Sequence, residues 1–529
     1  MSEIKITGAN LIAGTHSTEG SQLFQARNPT TGDLLDPIFT EATPLEVARA
    51  TGAAGEAYRE LRTWNGPRLA ELLRQMSAQL LDVDGQLLQT AHDETGLPIE
   101  PRLRGELART CAQFDMFADL VTSGEHRDVV IDHADATLSP PRPDLRRMRI
   151  GVGPVAVFGA SNFPLAFSVP GGDTASALAA GCPVVIKAHP SHPATSEMAA
   201  TALLRAVELV GAPAGSVSLV HGLGHEVGEA LVTSEEIRSV GFTGSPAGGQ
   251  ALAKLAAGRP HPIPVHAEMG SLNPVLVTPR ALAVRGREIA EQLASSLKMG
   301  VGQFCTSPGL VFVPSGEDGD RFVDALADQL RSTGEGVLLN QGILGALSRR
   351  LATTRAVDGV TTLLDGGAQP TDGPVTCAPS LFSVDLDAYR ASDHLREEHF
   401  GPASIVVRYD EGRLPEVVPT LEGQLTVTLQ AEPEDVADLV DLRADLMEIA
   451  GRVLFNGFPT GVSVTAAQHH GGPFPAASDP RFTSVGTKAI DRFLRPVTFQ
   501  DVPDPLLPDE LKEANPLNVP RRVDGRLRG

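Results

Sequence analysis

Residues 155–187 read VAVFGASNFPLAFSVPGGDTASALAAGCPVVIK, and the fold class follows from this stretch. Val155-Ala-Val-Phe158 and Pro183-Val-Val-Ile186 are short uncharged runs rich in β-branched residues, and each reads as a strand buried on both faces. Between them, residues 172–180 have helix-forming composition. A strand, a helix and a second strand in that order make a parallel crossover unit. Asp173 is the only charge between Arg149 and Lys187. A membrane segment is excluded all the same, because Pro154, Pro164, Pro170 and Pro183 interrupt the run and would leave backbone groups unpaired in lipid.

The same alternation continues outward. An amphipathic helix over 191–210 leads to the strand Val217-Ser-Leu-Val220, a helix over 226–232 leads to Ser239-Val-Gly-Phe242, and another helix covers 246–257. This repetition predicts an α/β chain with a doubly wound parallel sheet. A second unit of the same kind starts at Pro274-Val-Leu-Val277, has a helix over 283–299 and the strand Leu310-Val-Phe-Val313, and runs to about residue 465. The boundary falls near Gly270. The first 145 or so residues read as mainly helical, with stretches at 44–61 and 67–92 that pack on the first sheet. Residues 516–529 carry Arg521, Arg522, Arg526 and Arg528 among few apolar side chains, and read as a disordered tail.

With 529 residues the chain exceeds what one core supports, so two or three domains are expected. Its 44 Lys and Arg against 65 Asp and Glu leave a net charge of −21, which repels phosphate backbones and anionic bilayers. Nucleic acid and membrane are therefore excluded as partners, whereas a small anionic substrate in a locally basic pocket is not. Cys111, Cys182, Cys305 and Cys377 are far apart and form no CxxC pair, so neither a disulfide framework nor a metal site is expected. Free thiols and the absence of a basic-then-apolar leader point to the cytoplasm.

Four segments carry chemistry. In Gly300-Val-Gly-Gln-Phe-Cys305-Thr-Ser-Pro-Gly309, a cysteine in a glycine-containing turn after a helix can present its sulfur to a cleft, with its own N–H as an oxyanion donor. Such a thiol could equally be packed. Glu268, in Val-His-Ala-Glu-Met-Gly-Ser after a strand, has the apolar surroundings of a general base, or caps a domain boundary. Asn162, in Phe158-Gly-Ala-Ser-Asn-Phe-Pro164, stands where the first strand ends and could donate to an oxyanion, or merely shape a turn. Phe242-Thr-Gly244-Ser245-Pro runs from strand into helix and offers an anion site for a pyrophosphate. Gly222-Leu-Gly224-His-Glu-Val-Gly228 has one residue too many for a dinucleotide fingerprint and reads as a turn before a helix.

Together these segments resemble the aldehyde dehydrogenase superfamily over nearly the whole chain, from Asn28-Pro-Thr-Thr-Gly32 to Asp491. Further landmarks are Val184-Val-Ile-Lys187, Glu397-Glu398-His-Phe400-Gly-Pro402 and Asn456-Gly-Phe-Pro-Thr-Gly461. The resemblance implies two doubly wound Rossmann-like domains and a small β oligomerisation element. These are a dinucleotide-binding domain over 1–135 and 151–270, a catalytic domain over 271–465, and oligomerisation strands within 136–150 and 480–503 of a homodimer or homotetramer. It implies Cys305 as nucleophile, Glu268 as the base for deacylation, and Asn162 with the Cys305 N–H as oxyanion hole. It places Lys187 on the adenosine ribose, Ser245 and Gly244 at the pyrophosphate, Glu398 on the nicotinamide ribose and Phe400 near the ring. The implied reaction is thiolate attack on an aldehyde, hydride transfer to nicotinamide, and hydrolysis of the thioester.

Many relatives that prefer NAD carry a glutamate three residues after the lysine, where this chain has Pro190. Without that carboxylate a 2′-phosphate is acceptable beside Lys187 and His189 or His225, so NADP is favoured with NAD also accepted. The segments Glu268-Met-Gly-Ser271, Gln303-Phe-Cys305-Thr-Ser-Pro308, Gly471-Gly-Pro-Phe-Pro475 and Arg492-Phe-Leu-Arg-Pro496 resemble the α-ketoglutaric semialdehyde (2,5-dioxovalerate) dehydrogenase branch, with long-chain fatty aldehyde dehydrogenases as the alternative. A substrate carboxylate needs a cationic or N–H-rich anchor. Arg109 is the first candidate, followed by Arg102, Arg104, Arg481 and Ser484, with Phe163 as an apolar wall. Three other classes compete, one of them an acylating, CoA-dependent relative, which would usually lack the base at Glu268. A cysteine hydrolase would need a histidine on Cys305 and would leave a dinucleotide site unexplained. A retired binding protein would have lost Cys305, Glu268 or Asn162.

Overall fold

The computed structural model describes residues 4–367 and 373–528. Five strands, Val155–Phe158, Val184–Lys187, Val217–Val220, Ser239–Thr243 and Val265–Glu268, run parallel in one sheet. The fourth of these lies beside the first, so strand order reverses there and a crevice opens beyond the two carboxyl ends. Asn162 follows the first strand and Gly244-Ser245 the fourth, which puts both segments on that crevice. The runs are mostly apolar and almost wholly buried because helices cover both faces.

The N-terminal region departs from the helical expectation at its start. Asn10–Ile12 pairs antiparallel with the Val217–Val220 strand and with Thr15–Ser17, extending the sheet to seven strands. Four helices follow, Pro44–Leu61, Gly66–Asp82, Asp84–Thr95 and Arg104–Ser123. Gly66–Asp82 and Asp84–Thr95 pack on Pro193–Leu209, and the first turns of that helix are buried all round rather than amphipathic. Its N-terminal N–H groups are held by a buried carboxylate from this second layer, with Ala194 and Thr195 donating to Glu94 at 2.8 Å.

The second sheet also has seven strands. Six, from Val275–Val277 to Ala450–Phe455, are parallel, and Thr361–Leu364 is antiparallel at one edge. Only six residues separate its first strand from the last strand of the first sheet, so the site-bearing ends of both sheets meet. A third sheet joins Leu494–Gln500, Leu145–Gly151 and Val129–Asp132 to the tail. Here the expected disorder is corrected. Arg521–Val523 pairs parallel with Val129–Asp132 and antiparallel with Arg526–Arg528. Val519, Val523 and Leu511 bury an apolar cluster with Ile131 and Met148, while Arg521 donates to the Lys512 and Glu513 carbonyls. Arg522 points outward between Arg521 and buried Val523, and Arg526–Arg528 is an exposed edge strand.

Candidate active site

Cys305 follows the helix Pro279–Lys298, where the chain passes through three left-handed residues, Gly300, Val301 and Gly302. A Cβ on Gly302 would collide with the Gly401 carbonyl, so glycine lets the cysteine loop press against the segment bearing Glu398 and Phe400. The loop is clamped from below by Asn273, fully buried, whose amide donates to the carbonyls of Cys305 at 2.9 Å and Ser307 at 3.0 Å. Gln424 accepts from Leu272 N–H at 2.8 Å and from Ser271 Oγ at 2.9 Å, tying this clamp to the second sheet. Neither Asn273 nor Gln424 stood out in the sequence.

Glu268 ends the last strand of the first sheet and is 4 % exposed. Its Oε2 accepts from Ser484 Oγ at 3.3 Å and lies 2.9 Å from His470 Nε2, while its Oε1 has no partner. The same His470 nitrogen is 3.4 Å from Cys305 Sγ. His470 was missed in the sequence, although it directly precedes the quoted Gly471-Gly-Pro-Phe-Pro475. A histidine on Cys305 therefore does not separate an oxidising enzyme from a hydrolase.

A cleft of about 420 Å³ at the reversal of strand order is lined by Cys305, Glu268, Asn162, Gly244, Ser245, Glu398, Phe400 and His189. Asn162 spends one amide N–H on the Gln303 carbonyl at 2.9 Å, which leaves its second donor. Ser245 caps the helix Pro246–Ala257, its Oγ accepting from Gly248 N–H at 3.2 Å. That helix N-terminus opens on the cleft, an arrangement that fits a pyrophosphate. Gly270 lets the Glu398 carboxylate approach, since a Cβ there would meet its Oε2. Burial, reinforced by Glu268, pushes the Glu398 carboxyl up to about 8. Lys187 is one strand over, donating to the Gly222 carbonyl at 2.7 Å, and burial pushes its ammonium down to about 8. His189 stacks on His192 with centroids 5.3 Å apart, and burial holds its pKa well below the usual imidazole value. It is therefore a neutral hydrogen-bonding group, not a second cation for a phosphate.

The candidate anchors separate. Arg104 is exposed and paired with Glu100 and Asp84, and Arg481 is exposed and paired with Asp479. Arg102 bonds Glu106 and the Asn162 carbonyl and covers the Phe163 ring at 4.3 Å. Phe163 packs with Phe167 and Phe304 into an aromatic wall. Arg109 differs. Its Nε and Nη2 are buried without a partner, its guanidinium lies 5.2 Å over Phe167, and it feels both Cys305 and Glu268. Ser484 is bound to the base. Arg452, on the strand Ala450–Phe455, also acts on Cys305 and was missed in the sequence.

Burial, with Glu268 and Glu398 beside it and Arg109 opposing, raises the Cys305 thiol pKa well above the ordinary value. The sulfur thus rests protonated, and a proton acceptor has to accompany its attack.

A half-buried thiol beside a histidine and a carboxylate thus lines a cleft at the reversal of strand order in a doubly wound sheet. The chain belongs to the aldehyde dehydrogenase family, whose model, described as "Aldehyde dehydrogenase family", matches residues 15–418, and it is an NAD(P)-dependent aldehyde dehydrogenase. It is 46% identical over 524 residues to α-ketoglutaric semialdehyde dehydrogenase 2 of Azospirillum brasilense, covering 98% of both chains. It is 43% identical over 523 residues to α-ketoglutaric semialdehyde dehydrogenase of Acinetobacter baylyi, again covering 98% of both. Betaine aldehyde dehydrogenase of Staphylococcus aureus, solved in complex with NAD+, superposes with a TM-score of 0.79 at 19% identity, covering 94% of this chain and 95% of that one. That likeness shows the fold. Among the described residues no helix is long and apolar enough to cross a membrane.

Proposed function

We propose that this enzyme oxidises α-ketoglutaric semialdehyde to 2-oxoglutarate, with Arg109 holding the substrate carboxylate. The observation that carries this reading is the Arg109 guanidinium. Its Nε and Nη2 are buried without hydrogen-bond partners, and it lies within electrostatic reach of Glu106, Cys305 and Glu268. Buried guanidinium N–H groups without partners are costly to keep, and a carboxylate ligand removes that cost. The identity to the two relatives supports the same substrate.

Cys305 is the nucleophile in this reading. His470 Nε2 takes the thiol proton as sulfur attacks the aldehyde carbon, and Glu268, 2.9 Å away, stabilises the resulting imidazolium. The free amide N–H of Asn162 and the Cys305 N–H receive the developing oxyanion. Glu268 then uses Oε1, the oxygen no neighbour occupies, to deprotonate the water that releases the acid. Gly244, Ser245, Lys187, His189, Glu398 and Phe400 would hold the dinucleotide, which when bound supplies the hydride acceptor. We assign NADP as the preferred cofactor, with NAD also used, because Pro190 leaves the 2′ position without a carboxylate. A homo-oligomer is in keeping with the open edge strand Ala450–Phe455, whose Val453 and Phe455 are 43% and 54% exposed. Four free cysteines suit the cytoplasm.

Arg109→Met tests the substrate assignment. Losing a charge-assisted contact worth about 1.5–3 kcal/mol should raise KM for the semialdehyde ~10–100-fold and leave neutral short aldehydes nearly unchanged. Steady-state kinetics on the semialdehyde, succinic semialdehyde and C6–C14 aldehydes decide it. Efficiency that climbs with chain length, with poor semialdehyde oxidation, would instead favour a fatty aldehyde enzyme lined by Phe163, Phe167 and Phe304.

Pro190→Glu tests the cofactor assignment. A carboxylate there accepts from a ribose 2′-hydroxyl and repels a 2′-phosphate, so NADP should lose on the order of 1–3 kcal/mol relative to NAD. Cofactor titration of both forms reads this ratio, and an unchanged ratio places the phosphate elsewhere.

A further inference from the structure

The groups at the centre of the site also make a metal-ligand set. Cys305 Sγ, His470 Nε2 and a Glu268 carboxylate oxygen lie within 4.8 Å of one another, the one such group among the described residues. Sulfur to nitrogen is 3.4 Å and nitrogen to oxygen is 2.9 Å. A tetrahedral ion bonded at about 2.3 Å to thiolate and about 2.0–2.1 Å to imidazole and carboxylate sets those separations at about 3.5 and 3.3 Å. For the sulfur–nitrogen and nitrogen–oxygen pairs, side-chain shifts of a few tenths of an ångström close the difference, and the sulfur and carboxylate oxygen, within 4.8 Å, draw together around the ion.

The chemistry of the donors selects the ion. One sulfur, one imidazole and one carboxylate suit Zn2+, whereas Mg2+ and Ca2+ want oxygen throughout. Ser484 Oγ, bonded to Glu268 Oε2, is the kind of outer partner that orients a carboxylate ligand. Glu268 Oε1 is unpartnered in a residue only 4 % exposed, so the carboxylate has coordinating capacity left. Cys305 and Glu268 line the cleft, which leaves the fourth tetrahedral position open to water.

We propose that the enzyme free of substrate binds one Zn2+ on Cys305, His470 and Glu268, and that this ion reversibly switches it off. The thiol releases its proton to solvent, the sulfur lone pair forms the bond to zinc, and no electron changes hands. Nucleophile, proton acceptor and deacylation base are then all occupied. This inference rests on the geometry of the three side chains and is independent of which aldehyde the enzyme oxidises.

Metal-stripped full-length enzyme is titrated with Zn2+ against a chromophoric chelator, and iodoacetamide labelling of Cys305 is followed in parallel. The expected result is one equivalent bound per chain, with labelling slowed at least tenfold and restored by EDTA. Cys305→Ser should weaken binding by roughly a hundredfold or more, and His470→Asn and Glu268→Gln each by roughly tenfold or more. Melting temperatures confirm that each variant is folded, and His470→Gln serves as a second histidine variant. The proposal is overturned if wild type binds less than half an equivalent, or if the two folded histidine variants keep wild-type affinity, which would leave the thiol alone as the ligand.

Discussion

Cys305→Ala is expected to abolish aldehyde oxidation, lowering turnover by at least about a thousandfold, while NAD(P) affinity stays within about twofold. The loss is large because nothing near the substrate carbon replaces the sulfur. His470 and Glu268 can move protons, but neither forms the covalent adduct from which hydride leaves. The affinity is spared because the side chain is small and its loop is held through the backbone. Asn273 grips the Cys305 and Ser307 carbonyls, and Gly302 seats the loop against Gly401. Single-turnover formation of reduced cofactor and fluorescence titration of its binding measure both quantities. More than a few per cent residual turnover would remove Cys305 from the reaction.

Glu268→Gln should have the next largest effect, and a different signature. Replacing a general base lowers the step it serves by ~10²–10⁴-fold. If that step is water activation by Oε1, hydride release precedes it. Rapid mixing should then show a burst of about one reduced cofactor per site, followed by a very slow steady state. Glutamine keeps the shape of the carboxylate and can still accept from Ser484, so the cleft should hold its form. The geometry also exposes the alternative. Glu268 lies 2.9 Å from the histidine that contacts Cys305. Should the burst rate fall in step with the steady-state rate, the carboxylate acts first through His470 on thiol activation.

The strands around the site were legible because a parallel sheet covered on both faces is apolar at nearly every position. Val155–Phe158, Val184–Lys187 and Val217–Val220 announce themselves within a residue of their ends. The helix Pro193–Leu209 was placed correctly and its surroundings were not, since its amphipathic reading assumed a solvent face that the N-terminal helices occupy. The tail misled for the opposite reason. Local composition around Arg521 and Arg522 is polar, and the order comes from a strand partner almost 400 residues away, Val129–Asp132.

What the sequence by itself determined is the α/β architecture and the placing of Cys305, Glu268, Asn162 and Ser245 in turns after strands or helices. Each follows from local pattern, because burial period, turn residues and helix starts are properties of neighbours along the chain. Only the tertiary structure shows which histidine lies beside the thiol and which of the candidate arginines is left without partners near it. His470 reaches Cys305 across 165 positions, and Arg109 lies within electrostatic reach of it from a helix of the N-terminal layer. Fourteen histidines and many arginines are equivalent as letters. They differ in function through burial, loss of competing partners and distance to a charge, and those quantities exist only once the chain has folded.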